Sequence, residues 1–336
     1  MGLFADLKGK YKTLSVVGMA KNAGKTTTLN YLIEEAMDEN VALGVTSTGR
    51  DGESIDIVTG TEKPKVYLYA GTIVSVPTSL HESASAGLEI LRMTKYHTSI
   101  GPAMLCRVAD SGYTQIAGPV LTSDHRTMCE EMRSFGAEMI LIDGAVDRRS
   151  IAAPETSDAI ILATGAVLSR DIRKVAEETA HVAGLYSLSA IDDAALAKLF
   201  AESGKITVKD KEKTRELNIN TGLDSSSAID DAINEDTEYV YIPGALTYGV
   251  IRDIHPKKFK HATFVLRDPT KIFLDYREWQ VLRKKGLNVK VLKNIEIAAV
   301  SVNPVSPEGY IFEHGKLIEA MENALPGVRV IDVKVQ

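Results

Sequence analysis

The chain has 336 residues, 44% hydrophobic and 25% charged, with a formal net charge of −6 and a pI near 5.7. That length suits one large core or two domains, and an acidic balance without a basic stripe gives nucleic-acid binding no compositional support. The longest apolar run, Ala159 to Leu168, is about half of what a bilayer span needs, so no membrane segment is expected.

"MGLFADLKGKYK" at the N-terminus lacks the long apolar stretch of a signal peptide, and Asp6 stands where a myristoylation signal carries Ser or Thr. Cys106 and Cys129 have no metal-like spacing, and two thiols in a chain of this size suit a reducing cytosol. A cytoplasmic location is therefore expected. The seven histidines form no H-x-x-x-H or Cys/His cluster, and no G-x-S-x-G serine elbow is present.

Taken in chain order, "LSVVGMA" reads as a strand and "GKTTTLNYLIEEAMDEN" as the helix after it. "VALGVTSTG" is a second strand, followed by the polar "RDGESID". "AMLCRVADSGYTQIAGPV" contains a hairpin signal with "DSG" at its turn. "AEMILIDGA" and "DAIILATGA" are the next strands, and "SRDIRKVAEETAHVAGL" is a helix. These strands are continuously apolar, as buried parallel strands are, and their alternation with helices implies right-handed crossovers. The expected fold is α/β, a doubly wound, mostly parallel sheet of the P-loop NTPase kind over residues 1–190.

Residues 191–236 turn polar and small and read as a helical join; within them "KITVKDKEKTRE" reads as solvated surface. Strand–helix alternation resumes over residues 237–336 with "EYVYIPGAL", "ATFVLRDPTKIFL", "IEIAAVSVN" and "VRVIDVKV" as strands. "YREWQVLRKKG" and "HGKLIEAMENALPG" are the helices between them. Periodicity leaves open whether this part extends the first sheet or forms a second α/β domain.

The chemistry concentrates in the first strand–helix junction. A phosphate-binding loop needs backbone N–H groups at a tight turn, a helix starting at once so that its dipole favours the anion, a lysine for the outer phosphates and a hydroxyl for Mg²⁺. The stretch Gly18, Met19, Ala20, Lys21, Asn22, Ala23, Gly24, Lys25, Thr26 and Thr27 supplies these parts in order. Its departure from G-x-x-x-x-G-K-[ST] is Met19, which stands at the first glycine position while Gly18 lies one residue early.

Asp143, after four apolar residues, is the carboxylate expected to hold the metal-bound water of such a site together with Thr26. Asp51, Glu53 and Asp56 are candidates for a loop that senses the γ-phosphate or positions water, Asp51 as a catalytic residue. Arg148 and Arg149 suit phosphate or a neighbouring acid. Asn303, in "SVNPVSPEGYIFE", is a candidate for a base or partner contact, against the alternative of a rigid turn shaped by Pro304 and Pro307. No Asn-Lys-x-Asp motif is seen, which favours ATP over GTP. ATP and Mg²⁺ are the expected ligands.

Together, "GMAKNAGKTTTLNYL", "GVTSTGRDGE", Lys63-Pro64 and "LIDGAVDRRSIA" resemble the ATPase component of the lysine 5,6-aminomutase reactivase, over most of the chain. The resemblance implies an ATP- and Mg²⁺-dependent switch. With a larger partner similar to the mismatch-repair MutS ATPases, it would restore a cobalamin-dependent lysine or ornithine aminomutase after loss of the cobalamin radical. A homodimer is a further expectation. Two rivals remain at this point: an ATP-dependent carboxylate-activating enzyme similar to the dethiobiotin-synthetase and cobyrinate-amidase group, and a nucleotide-dependent scaffold with little turnover.

Overall fold

A computed structural model describes residues 2–48, 66–144, 156–219 and 225–333. The chain divides into two compact units, Met1–Ala180 with Glu296–Gln336, and His181–Ile295. This division cuts across the expected boundaries: residues 237–336 are shared between the two units, and residues 191–236 belong to the second one.

The first unit begins with helix α1 (Leu3–Leu7), strand β1 (Thr13–Gly18), helix α2 (Lys25–Asp38) and strand β2 (Leu43–Ser47). After β3 (Val66–Leu68) and β4 (Ile73–Pro77), strands β5 (Gly87–Thr98) and β6 (Gly101–Asp110) form an antiparallel hairpin. β7 (Gly112–Thr114), α3 (Thr122–Ser134), β8 (Met139–Asp143) and β9 (Ala159–Gly165) follow, and then α4 (Ile172–Tyr186), whose last residues, from His181, belong to the second unit. The hairpin therefore turns at Thr98–Gly101 and not at "DSG". β7 pairs instead with β3, Tyr67 opposite Tyr113, so Asp110-Ser111-Gly112 links strands of two different sheets.

The second unit carries α5 (Ala194–Glu202), β10 (Thr207–Asp210), β11 (Thr214–Glu216), α6 (Ser225–Ala232), β12 (Thr237–Ile242), β13 (Leu246–Thr247), α7 (Tyr248–Ile251), β14 (Thr263–Leu266), β15 (Ile272–Phe273), α8 (Tyr276–Lys284) and β16 (Asn288–Val291). Its five-stranded sheet has the order β11-β10-β12-β14-β16, with the last three strands parallel. The Lys-rich segment expected at the surface supplies β10 and β11. Thr207, Val208 and Asp210 are buried there, and Asp210 accepts hydrogen bonds from Thr237 and Arg215. Lys205, Lys209, Lys211 and Lys213 around Thr207 and Val208 hid a half-buried strand, because their long stems keep the charge at the surface.

β17 (Ile297–Asn303), α9 (His314–Ala324) and β18 (Val330–Asp332) complete the first unit. Its nine-stranded sheet has the order β18-β17-β9-β1-β8-β2-β4-β6-β5, parallel throughout except at the β4–β6 and β6–β5 pairs. The protein is thus mixed α/β with a large, mostly parallel sheet. Leu141 of β8 packs with Leu29, Leu32 and Ile33 of α2, whereas Ile140 and Ile142 pack with Met128 and Met132 of α3. Helices on both faces explain why the strands are apolar without alternation. Each fully buried Leu or Ile of α2 contributes about 1.5–3 kcal/mol through its removal from water.

Candidate functional site

The topology places β1 inside the sheet, fourth of its nine strands, flanked by β8 and β9. Open parallel sheets gather ligand-facing groups at the carboxyl ends of their strands, and the motif residues collect there. Register sets Val16 opposite Asp143, and Gly18 opposite Ala163.

The loop from Gly18 to Thr26 explains the missing glycine. Met19 continues the ladder by donating its N–H to Ala163 O at 2.9 Å. The left-handed conformations fall further on, at Asn22 (φ 65°) and Gly24 (φ 97°). Met19 therefore occupies ordinary backbone and needs no glycine, while Asn is among the few side-chain-bearing residues that tolerate the left-handed region. At Gly24 a second constraint applies: an added Cβ would lie 3.0 Å from Asn303 Cβ.

Helix α2 starts directly after Gly24, and no side chain caps it. Its first-turn N–H groups and its dipole thus face the loop. Lys25 Nζ lies 2.9 Å from Asp143 Oδ1 and also donates to Gly144 O. Both side chains are largely buried, so this pair is less screened than a surface ion pair. Asp143 is fixed from behind, because Thr48 N–H and the hydroxyls of Ser47 and Thr48 all donate to its backbone oxygen. Thr26 and Thr27 are half-buried on the first turn, and Lys21 and Asn22 are exposed on the loop.

β17 reaches the same place from the other end of the sequence. Asn303 stands opposite Gly165, whose missing Cβ lets Asn303 O approach. Asn303 Nδ2 donates to Asn22 O at 3.2 Å, and Oδ1 accepts from Val305 N–H at 3.2 Å. The segment after it turns as a short bridge between Val305 and Ile311, and Tyr310 donates its hydroxyl proton to Ala166 O.

Two contributors escape a reading of motifs. Thr28 donates to Gly24 O at 3.1 Å, and its hydroxyl is 2.7 Å from that of Ser301. The signal for Ser301 was its two-residue spacing from Asn303, which puts both side chains on one face of a strand.

Of the expected site residues, Gly18, Met19, Ala20, Lys21, Asn22, Ala23, Gly24, Lys25, Thr26, Thr27, Asp143 and Asn303 lie at this one edge. Asp51, Glu53, Asp56, Lys63, Pro64, Asp147, Arg148 and Arg149 lie outside the described residues. Among the described residues no three His, Cys, Asp or Glu side chains cluster as metal ligands, and no helix is long and apolar enough to cross a membrane. Burial pushes the Cys106 and Cys129 thiols up to about 11.

The class defined here is an α/β protein with a mostly parallel sheet and a strand–loop–helix site at its carboxyl edge. Comparison with family models, curated proteins and solved structures finds no match to the chain.

Proposed function

We propose that the first unit is a P-loop nucleotide-binding unit that binds ATP with Mg²⁺ and hydrolyses it slowly as a switch. The observation that supports this reading best is the meeting of Lys25 and Asp143 beside an uncapped helix N-terminus and a loop carrying two left-handed residues. Loop amides between Met19 and Gly24 cradle phosphate, and Lys25 neutralises charge on the outer phosphates. Thr26 and Asp143 would hold Mg²⁺, which supplies charge neutralisation between the phosphates. With nucleotide bound, Lys25 would pair with phosphate in place of Asp143, and the Asp143 carboxylate would be free to help hold the metal.

The resemblance noted in the sequence supplies the biological reading: a cytoplasmic protein that works with a MutS-like partner to reactivate a cobalamin-dependent lysine or ornithine aminomutase. A switch suits that task, because a tightly held damaged cofactor leaves only when its host opens.

The test is Mg-ATP hydrolysis by the full chain, with and without an inactivated aminomutase and the partner. A slow basal rate that Lys25→Ala abolishes and the mutase system raises is the expected result. ADP release that requires a small carboxylate substrate would instead assign the protein to the carboxylate-activating class.

A further inference from the structure

The left-handed conformation at Asn22 needs a cause. Asn tolerates it better than most residues, but an isolated loop has no reason to hold it. Strand β17 supplies it. Asn303 is 9% exposed, its amide nitrogen donates to Asn22 O, and its amide oxygen is held by Val305 N–H. Two residues earlier on the same strand face, Ser301 meets Thr28, which in turn donates to Gly24 O. β17 thus holds the loop directly at the Asn22 carbonyl, while the Gly24 carbonyl, on the other side of Ala23, accepts the Thr28 N–H and hydroxyl of α2 and is reached from β17 only through Ser301 against Thr28.

The orientation of those peptide groups decides whether the loop attracts or repels an anion. A carbonyl turned into a phosphate cradle sets negative oxygen against negative oxygen. A carbonyl engaged elsewhere leaves the amides to face the ligand. We infer that Asn303 is a positioning residue that presets the phosphate loop by holding the Asn22 carbonyl, with Ser301 supporting it through Thr28, and that it does not act by reading the base. The inference rests on the nucleotide reading above. It assigns to β17, some 280 residues along the chain from the loop, the task of keeping the cradle in its binding form.

The probe that separates positioning from base contact is inorganic tripolyphosphate, which has phosphates and no base. Titration calorimetry on the full chain compares Mg-ATP with Mg-tripolyphosphate for wild type, Asn303→Ala and Asn303→Asp. Asn303→Asp keeps the side-chain size and the bond from Val305 but cannot donate to Asn22; its added charge also repels phosphate, so the effect of the lost bond alone is read on Asn303→Ala, and thermal melts check both variants for a fold defect. Loss of one buried hydrogen bond predicts about tenfold weaker binding of both ligands, by equal factors.

Adding Asn22→Gly to Asn303→Ala restores part of that loss, since glycine adopts the left-handed region unaided. Weakening confined to ATP would show a base contact and overturn the inference, as would unchanged affinity for tripolyphosphate or no recovery with Asn22→Gly. If wild type binds neither ligand, the nucleotide reading itself fails, a result distinct from failure of the clamp.

Discussion

Lys25 and Asp143 face each other from the start of α2 and the end of β8, with Nζ 2.9 Å from Oδ1 and side chains only 16% and 14% exposed. Neither charge has much water to fall back on. Removing one partner leaves the other partly buried and unpaired, a situation that costs up to about 3–5 kcal/mol in fully buried pairs. Lys25→Ala and Asp143→Asn are each expected to lower stability by less than that limit. The double variant should lose less than the sum of the two. Urea unfolding of the four proteins measures this coupling; strictly additive losses would mean that the pair contributes nothing.

Met19 offers the cleanest test of the loop's geometry. Its N–H belongs to the β-ladder, so glycine there gains no conformational relief. Met19→Gly is expected to cost about 0.5–1 kcal/mol from added freedom of the unfolded chain and to leave nucleotide affinity unchanged. Gly24→Ala is the contrasting case. Its φ of 97° and the nearby Asn303 Cβ make it cost at least about 1–2 kcal/mol and weaken nucleotide binding. A tighter-binding Met19→Gly protein would show that the departure from the glycine pattern matters after all.

His125 gives the pH dependence. It is buried near Gly118 and Thr46, and burial holds its pKa below the ordinary 6.5, while the Pro119 carbonyl and Asp124 act in the opposite direction. The unfolded chain therefore takes up a proton at higher pH than the folded one. Stability is full above 6.5 and falls as the pH drops from there through the lowered folded value. Thermal melts between about pH 7 and 5 should show this loss, and His125→Gln should lose less over the same window. Parallel curves for the two proteins would remove His125 as the cause.

The cysteines are expected to be inert in the folded protein. With both thiols buried and shifted to about 11, almost none is thiolate near neutral pH. Alkylation with iodoacetamide should be slow in native buffer and fast in denaturant. Rapid native labelling would mean local opening, of the sheet around Cys106 or of α3 around Cys129.

Much of the site was legible because its parts are local. Strand, loop, Gly24-Lys25-Thr26 and an amphipathic helix follow one another within one stretch of chain, and Asp143 ends an apolar run as such a carboxylate should. What the sequence hid is long-range. Nothing in the periodicity of "IEIAAVSVN" says that β17 crosses back to pair with β9, so Asn303 was placed near the site but its hold on Asn22 was not. β10 and β11 were hidden by the charged residues in and between them, and the hairpin turn was assigned to "DSG" because Asp, Ser and Gly favour turns wherever they fall. In the structure that tripeptide joins two sheets.

The nucleotide reading rests on the loop from Gly18 to Thr26 binding the phosphates of ATP through Lys25. Calorimetric titration of Mg-ATP into the full-length wild-type chain and into Lys25→Ala tests it most directly. Saturable one-site binding to wild type is expected, weakened at least about tenfold by loss of the lysine's charge-assisted contacts. Equal affinity in the two proteins, or no binding to wild type, would contradict it.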